Sequence, residues 1–223
     1  MAPRCPMRRI SRFCLAARPV TNLDLVRFGA ALLLVLVIAC AAPPPSPPAV
    51  PMMRAPLPTV ILQQADVPAD YFIEKDEEMS PEDLSNGLGR TIAQLKTRLA
   101  FGYVRSFTSG GEPWVCCVID SILITTADDG TARQTAIDFR ERALELGSVE
   151  TDLGEVIGDE SRGFVFEHPS ADGMLITLTV LFRYANVVDA VEVTGRPGSF
   201  ERPYVLEFAK KQLQRLRAAA ETP

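Results

Sequence analysis

Eight of the nineteen residues from Ala41 to Thr59 are proline, and this run constrains the chain more than any other feature. Proline lacks a backbone N–H and fixes φ at about −65°, so the run joins neither a helix nor a sheet ladder and extends as polyproline II. At about 3.1 Å per residue it holds the two parts of the chain that flank it on the order of 50 Å apart. The chain of 223 residues is thereby divided into an N-terminal part, a tether and a body over residues 60–223. A body of that length is one ordinary domain.

The N-terminal part carries an address. Arg27 precedes an unbroken apolar run from Phe28 to Cys40, which has the proportions of a signal peptide. It is shorter than the roughly 20 residues that span a bilayer. Its end, Val37-Ile38-Ala39-Cys40, resembles a bacterial lipobox. That resemblance implies cleavage before Cys40, acylation of its thiol and a membrane-anchored protein in the cell envelope, on the extracytoplasmic side. Residues 1–39 then form the signal, with 1–26 as an N-terminal extension longer than such signals carry. Residues 40–59 form the lipidated cysteine and linker, and 60–223 the domain. An uncleaved anchor is the alternative.

Charge follows the same division. Residues 1–40 hold six arginines against Asp24; taking these from 23 basic and 28 acidic side chains leaves 17 against 27, a net −10 for residues 41–223. A body so acidic repels phosphate backbones, so nucleic acid is excluded as a partner. With Cys5 and Cys14 removed and Cys40 acylated, Cys116 and Cys117 remain. Read as neighbours in a strand, they point to opposite faces and cannot pair, and we expect two buried thiols. A redox or soft-metal site on the pair is the alternative.

Ser80-Pro81 starts a helix, with Ser80 as N-cap, and Gly87 and Gly89 interrupt it before Leu88, Ile92, Leu95 and Leu99 recur at helical spacing. Tyr103–Thr108 and Trp114–Thr126 are strands, the second apolar on both faces and therefore central. Asp128-Asp129-Gly130 caps a helix over Thr131–Leu146, expected to bury Ala132, Ala136, Ile137, Ala143 and Leu144 and to expose an Asp138–Arg142 pair. Strands at Gly163–His168, Met174–Arg183 and Val187–Thr194 form a meander, and Pro203 opens a last helix striped by Val205, Phe208, Ala209, Gln212, Leu213 and Leu216. Short connections favour antiparallel pairing. The fold class is therefore α+β, a mainly antiparallel twisted sheet of about five to six strands with packed helices.

Three segments carry a further resemblance: Asp66-Val67-Pro68-Ala69-Asp70-Tyr71-Phe72, Ile157-Gly158-Asp159-Glu160-Ser161, and the hairpin Arg183…Asn186-Val187-Val188. They resemble uncharacterised exported bacterial proteins with PsbP/Mog1-like or LpqN-like domains. The resemblance implies a fold and no chemistry.

No nucleotide-binding or hydrolase motif is present. The single histidine, His168, has no nominated nucleophile or carboxylate beside it, and neither Asp128-Asp129 nor Asp159-Glu160 has the spacing of a metal loop. No catalytic residue, metal or cofactor is expected. Tyr71, Phe72, Phe101, Tyr103, Phe107 and Trp114 are the candidate lining of an apolar ligand site, the alternative being that they are core. The expected function is a non-catalytic domain that binds a small molecule or an unidentified protein, held to the membrane through the lipid on Cys40. An exported enzyme, or a thiol-dependent protein using Cys116 and Cys117, is the alternative.

Overall fold

The computed structural model describes residues 52–98, 100–109, 117–171 and 173–220. The signal segment, Cys40, Leu99, Trp114 and Cys116 lie outside the described residues. A first helical turn, α1 (Leu57–Val60), precedes β1 (Tyr71–Glu78), α2 (Pro81–Leu88), α3 (Ile92–Thr97), β2 (Phe101–Ser109) and β3 (Val118–Thr125). After them come α4 (Asp129–Glu145), β4 (Val149–Thr151), β5 (Glu160–Ser170), β6 (Gly173–Tyr184), β7 (Val187–Gly195) and α5 (Arg202–Ala220). The seven strands form one antiparallel sheet in the order β1-β2-β3-β7-β6-β5-β4.

The sheet separates two apolar layers. Leu123, Val180, Phe182 and Val193 face Val205, Phe208 and Leu216 of α5. On the other face Ile124, Leu181, Val188 and Ala190 pack with Leu84, Leu88, Leu95 and Ala132 of α2–α4. β3 is central and covered on both sides, as its apolar sequence requires. Ala49–Pro223 forms one compact unit that contains every described strand and both layers, so its core closes within itself.

Seven strands stand where about five to six are expected from the sequence. The additions are the sheet's two edges. β1 is buried only at Tyr71 and otherwise reads Phe-Ile-Glu-Lys-Asp-Glu-Glu, and β4 has three residues. Charged or very short edge strands resist edge-to-edge association and therefore lack the alternation by which strands are recognised. The helical spacing across residues 88–99 is also broken: Gly89 adopts φ 61° and ends α2, and Thr91 caps a separate α3.

α4 turns a different stripe inward from the expected one. Its buried residues are Ala132, Thr135 and Asp138, while Ile137 and Leu144 are exposed. Asp138 does not form an exposed pair with Arg142. It accepts hydrogen bonds from Arg90 (2.8 Å), Gln134 (3.0 Å) and Arg98. Burial alone would raise its carboxyl, but these donors hold it below its ordinary value. Arg90 and Arg98 flank α3, so this one carboxylate fastens the α2–α3 hairpin to α4.

The end of the proline-rich segment belongs to the body, which moves the domain start from residue 60 to about residue 53. Met53 is buried and its N–H donates to Asn186 Oδ1 (2.6 Å). Residues 53–62 form a strap whose carbonyls are taken up by buried side chains: Gln212 donates to Val60 O and Arg105 to Leu62 O, both at 2.9 Å. Asn186 additionally donates to Thr126 O (3.0 Å), so it ties the strap to the β3 end and the β6–β7 turn. Asn186→Ala leaves several buried backbone groups unpaired and is expected to cost about 2–3 kcal/mol in urea unfolding, since each such group costs about 1–3 kcal/mol. A loss below about 0.5 kcal/mol, within the range of an ordinary surface substitution, would show that the strap is not fixed there.

Cys117 is not a free thiol. It is disulfide-bonded, with a partner outside the described residues, and it packs in the α5-side layer. The expectation of two unpaired thiols assumed that both cysteines lie within a regular strand. β3 begins at Val118, so the alternation that forbids pairing does not extend to Cys117.

Candidate functional site

A cavity of about 740 Å³ opens where the two layers meet, at the ends of β1, β2 and β3. Its size falls in the range of small-molecule sites. Met53 and Leu57 of the strap form one wall, Leu84, Ile92 and Leu95 of the hairpin the other, and Gly102 of β2 the floor. A Cβ on Gly102 would lie 2.8 Å from Leu84 Cδ2 and 2.9 Å from Met79 Sδ, so glycine is what lets α2 descend onto the strand. The Ser80 capping box and Pro81 fix the start of α2, and Asp138 holds the hairpin from behind. Arg54, Glu78 and Lys96 are the charged residues of the lining.

Of the described aromatic candidates, Phe101 and Tyr103 reach this cavity and the others do not. Tyr103 belongs to its wall and is hydrogen-bonded to Asp76, burial and that bond both raising its phenol. Phe107 is fully buried in the α5-side layer. Tyr71, in the same layer, is hydrogen-bonded to Tyr204, and burial first and this bond second push its phenol well up. Phe72 points to the opposite side of the pleat and is 50% exposed. Phe101, also singled out in the sequence, is 64% exposed at the cavity mouth.

A second polar feature crosses the sheet on the α2–α4 side. Asp120 and Glu192 are direct cross-strand partners, flanked by Ser106 and Thr179. Thr179 donates to Glu192 at 3.0 Å, yet burial first and Asp120 second push the Glu192 carboxyl up to about 7. Burial likewise raises Asp120. Burial and the neighbouring Asp120 thus keep a proton on Glu192 into the neutral range. The next row holds a Thr177–Thr194 hydrogen bond of 2.8 Å, with His168 3.4 Å from Thr177 and stacked on Phe166. No group of three or more metal-ligating side chains occurs among the described residues.

The segments that carry the exported-protein resemblance act as clamps. Gly158, at φ 68°, lies so close to the Arg183 carbonyl that a Cβ would fall 2.3 Å from its oxygen. Asp159 accepts from the Ala185 N–H (2.9 Å) and Glu160 from Arg183 Nε (2.7 Å). Asp66 binds the Gln63 N–H (2.7 Å) and Arg215 of α5 (2.5 Å). These bonds tie the segments to α5 and to the β6–β7 turn.

No family model and no curated protein matches the chain. Among solved structures, it is similar to the extracellular domain of PknH from Mycobacterium tuberculosis, at 10% identity over 71% of this chain and 93% of that one, with a TM-score of 0.46. No helix among the described residues is long and apolar enough to cross a membrane.

Proposed function

We propose that this chain is a lipid-anchored, extracytoplasmic, non-catalytic binding domain that takes a small apolar ligand into the cavity between the strap and the α2–α3 hairpin. The cavity carries the reading. It is mostly apolar, its walls are fixed by the Asn186, Arg105 and Asp138 bonds, and it is large enough for one ligand. The lipobox-like Val37–Cys40 and the signal proportions support the location. The soft-metal alternative loses support because the Cys117 sulfur is engaged in a disulfide and is no thiolate ligand.

The neutral dye Nile red is expected to bind the folded body at one site. Ile92 is half-buried in the cavity wall, so Ile92→Trp fills space without entering the core. It is expected to weaken the dye by about tenfold or more while leaving the circular dichroism intact, tenfold being about 1.4 kcal/mol. Unchanged binding would remove the cavity as the site. For the anchor, Cys40→Ala is expected to accumulate an unlipidated precursor that retains its signal, read by mass spectrometry of the N-terminus. Normally cleaved, detergent-phase protein from that variant would overturn the lipobox.

A further inference from the structure

Resting on the binding reading above, we propose that the cavity's ligand is a single-chain anionic amphiphile, its chain lying among Met53, Met79, Leu84, Ile92 and Leu95 and its head group between Arg54 and Lys96. The apolar lining combines two methionines with branched aliphatics, and unbranched thioether side chains adapt to a flexible chain better than a rigid lining does. The cationic rim is the more specific sign. Eleven of the seventeen basic side chains among the described residues are ion-paired with carboxylates, Arg90, Arg183 and Arg215 among them. Arg54 and Lys96 line the apolar cavity of this acidic body and make no ion pair among the described residues. Both are exposed, on long stems that can lie along an apolar chain while the charge stays at the mouth. Glu78, the third charged residue of the lining, leaves the rim net positive and opposes the same head group.

The ligand arrives as a monomer rather than as part of a bilayer. A body of net −10 over residues 41–223 does not settle on an anionic membrane, and the ligand's charge must then be read inside the rim.

The test is calorimetric titration of the body, residues 49–223, whose core closes within itself, with laurate and dodecyltrimethylammonium below their micellar concentrations and dodecanol below its solubility limit. Laurate is expected to bind one to one and about 5–10-fold more tightly than dodecanol, the worth of two partly exposed charge pairs. Each methylene added to the acid should tighten it about fourfold until the cavity is full. Lys96→Gln and Arg54→Gln should each reduce the preference for laurate without altering dodecanol, and Glu78→Gln should increase it. Equal binding of laurate and dodecanol, unaffected by Lys96→Gln, would overturn the head-group assignment and leave the cavity reading standing. Tighter binding of the cationic amphiphile would also overturn it. Binding of none of the three would overturn the cavity reading as well. Co-sedimentation with phosphatidylglycerol vesicles that survives Ile92→Trp would overturn monomer capture. A dimer dissociated by Ile92→Glu would assign the cavity to a second copy of the chain.

Discussion

Arg183→Met is expected to destabilise the body by about 3 kcal/mol, the low end of what breaking a buried ion pair costs. Arg183 is 4% exposed at the end of β6 and binds Glu160 through Nε (2.7 Å), and Asp129, Asp159 (3.1 Å) and the Ala185 carbonyl (3.1 Å) through Nη1. Burial alone would lower its pKa, but the Glu160 bond and the three carboxylate charges raise it instead, so the guanidinium stays charged. One side chain thus joins the start of α4, the segment before β5 and the β6–β7 turn. The cost sits at the low end because the three carboxylates are 35–42% exposed and rehydrate when the cation leaves. Arg162→Ala is the control. Its pair with Glu150 is half exposed and worth about 0–1 kcal/mol. Urea unfolding of both variants checks the contrast, and similar losses would refute the assigned role of Arg183.

Asp189→Asn acts in the opposite direction. Asp189 lies in β7 opposite Leu123 and Phe182, is fully buried, and neither carboxyl oxygen has a hydrogen-bond partner among the described residues. Burial raises its pKa well above the ordinary carboxyl value, so it holds a proton in the folded state. The unfolded chain releases that proton above about pH 4. Between there and the folded-state pKa the native state binds more protons, so stability is greatest at the acid side and falls as pH rises. Glu192, pushed up to about 7, adds to the decline over the same window. The lowered carboxyls of Asp83, Asp128, Asp138 and Glu150 act at lower pH, where their contribution disappears on acidification. Asn cannot titrate. Wild type should lose ground to Asp189→Asn at up to about 1.4 kcal/mol per pH unit above about pH 4. Urea unfolding at half-unit steps from about pH 4 to about pH 8 spans this window and measures the difference. Parallel curves would show that Asp189 is not buried as a neutral acid.

The sequence is most legible where one periodic face meets one apolar layer. The stripe from Val205 to Leu216 is buried in α5, and the alternation Leu178-Val180-Phe182 lies beneath it. It is least legible where polar side chains replace apolar ones in the core. Asp138 reads as a surface charge because its partners, Arg90 and Arg98, are distant in sequence, and α4 is therefore assigned the wrong phase. The strap escapes notice because proline-rich chain normally packs on nothing, whereas Asn186, Arg105 and Gln212 satisfy its backbone from far along the chain. The cavity inherits that difficulty, since its walls come from the strap, from α2–α3 and from the ends of three strands. Only Phe101 and Tyr103 among the described aromatic candidates reach it, because the others pack as core or stand on the opposite side of the pleat.

The most direct test of the account is a methyl NMR titration of the body with a neutral long-chain alcohol. The methyl resonances of Met79, Leu84, Ile92 and Leu95, which line the cavity, should shift together and saturate at one equivalent. Those of Val193 and Val205, in the α5-side layer, should remain where they are. Absence of saturable shifts, or shifts centred on the α5-side layer, would contradict the assignment of this cavity as the ligand site.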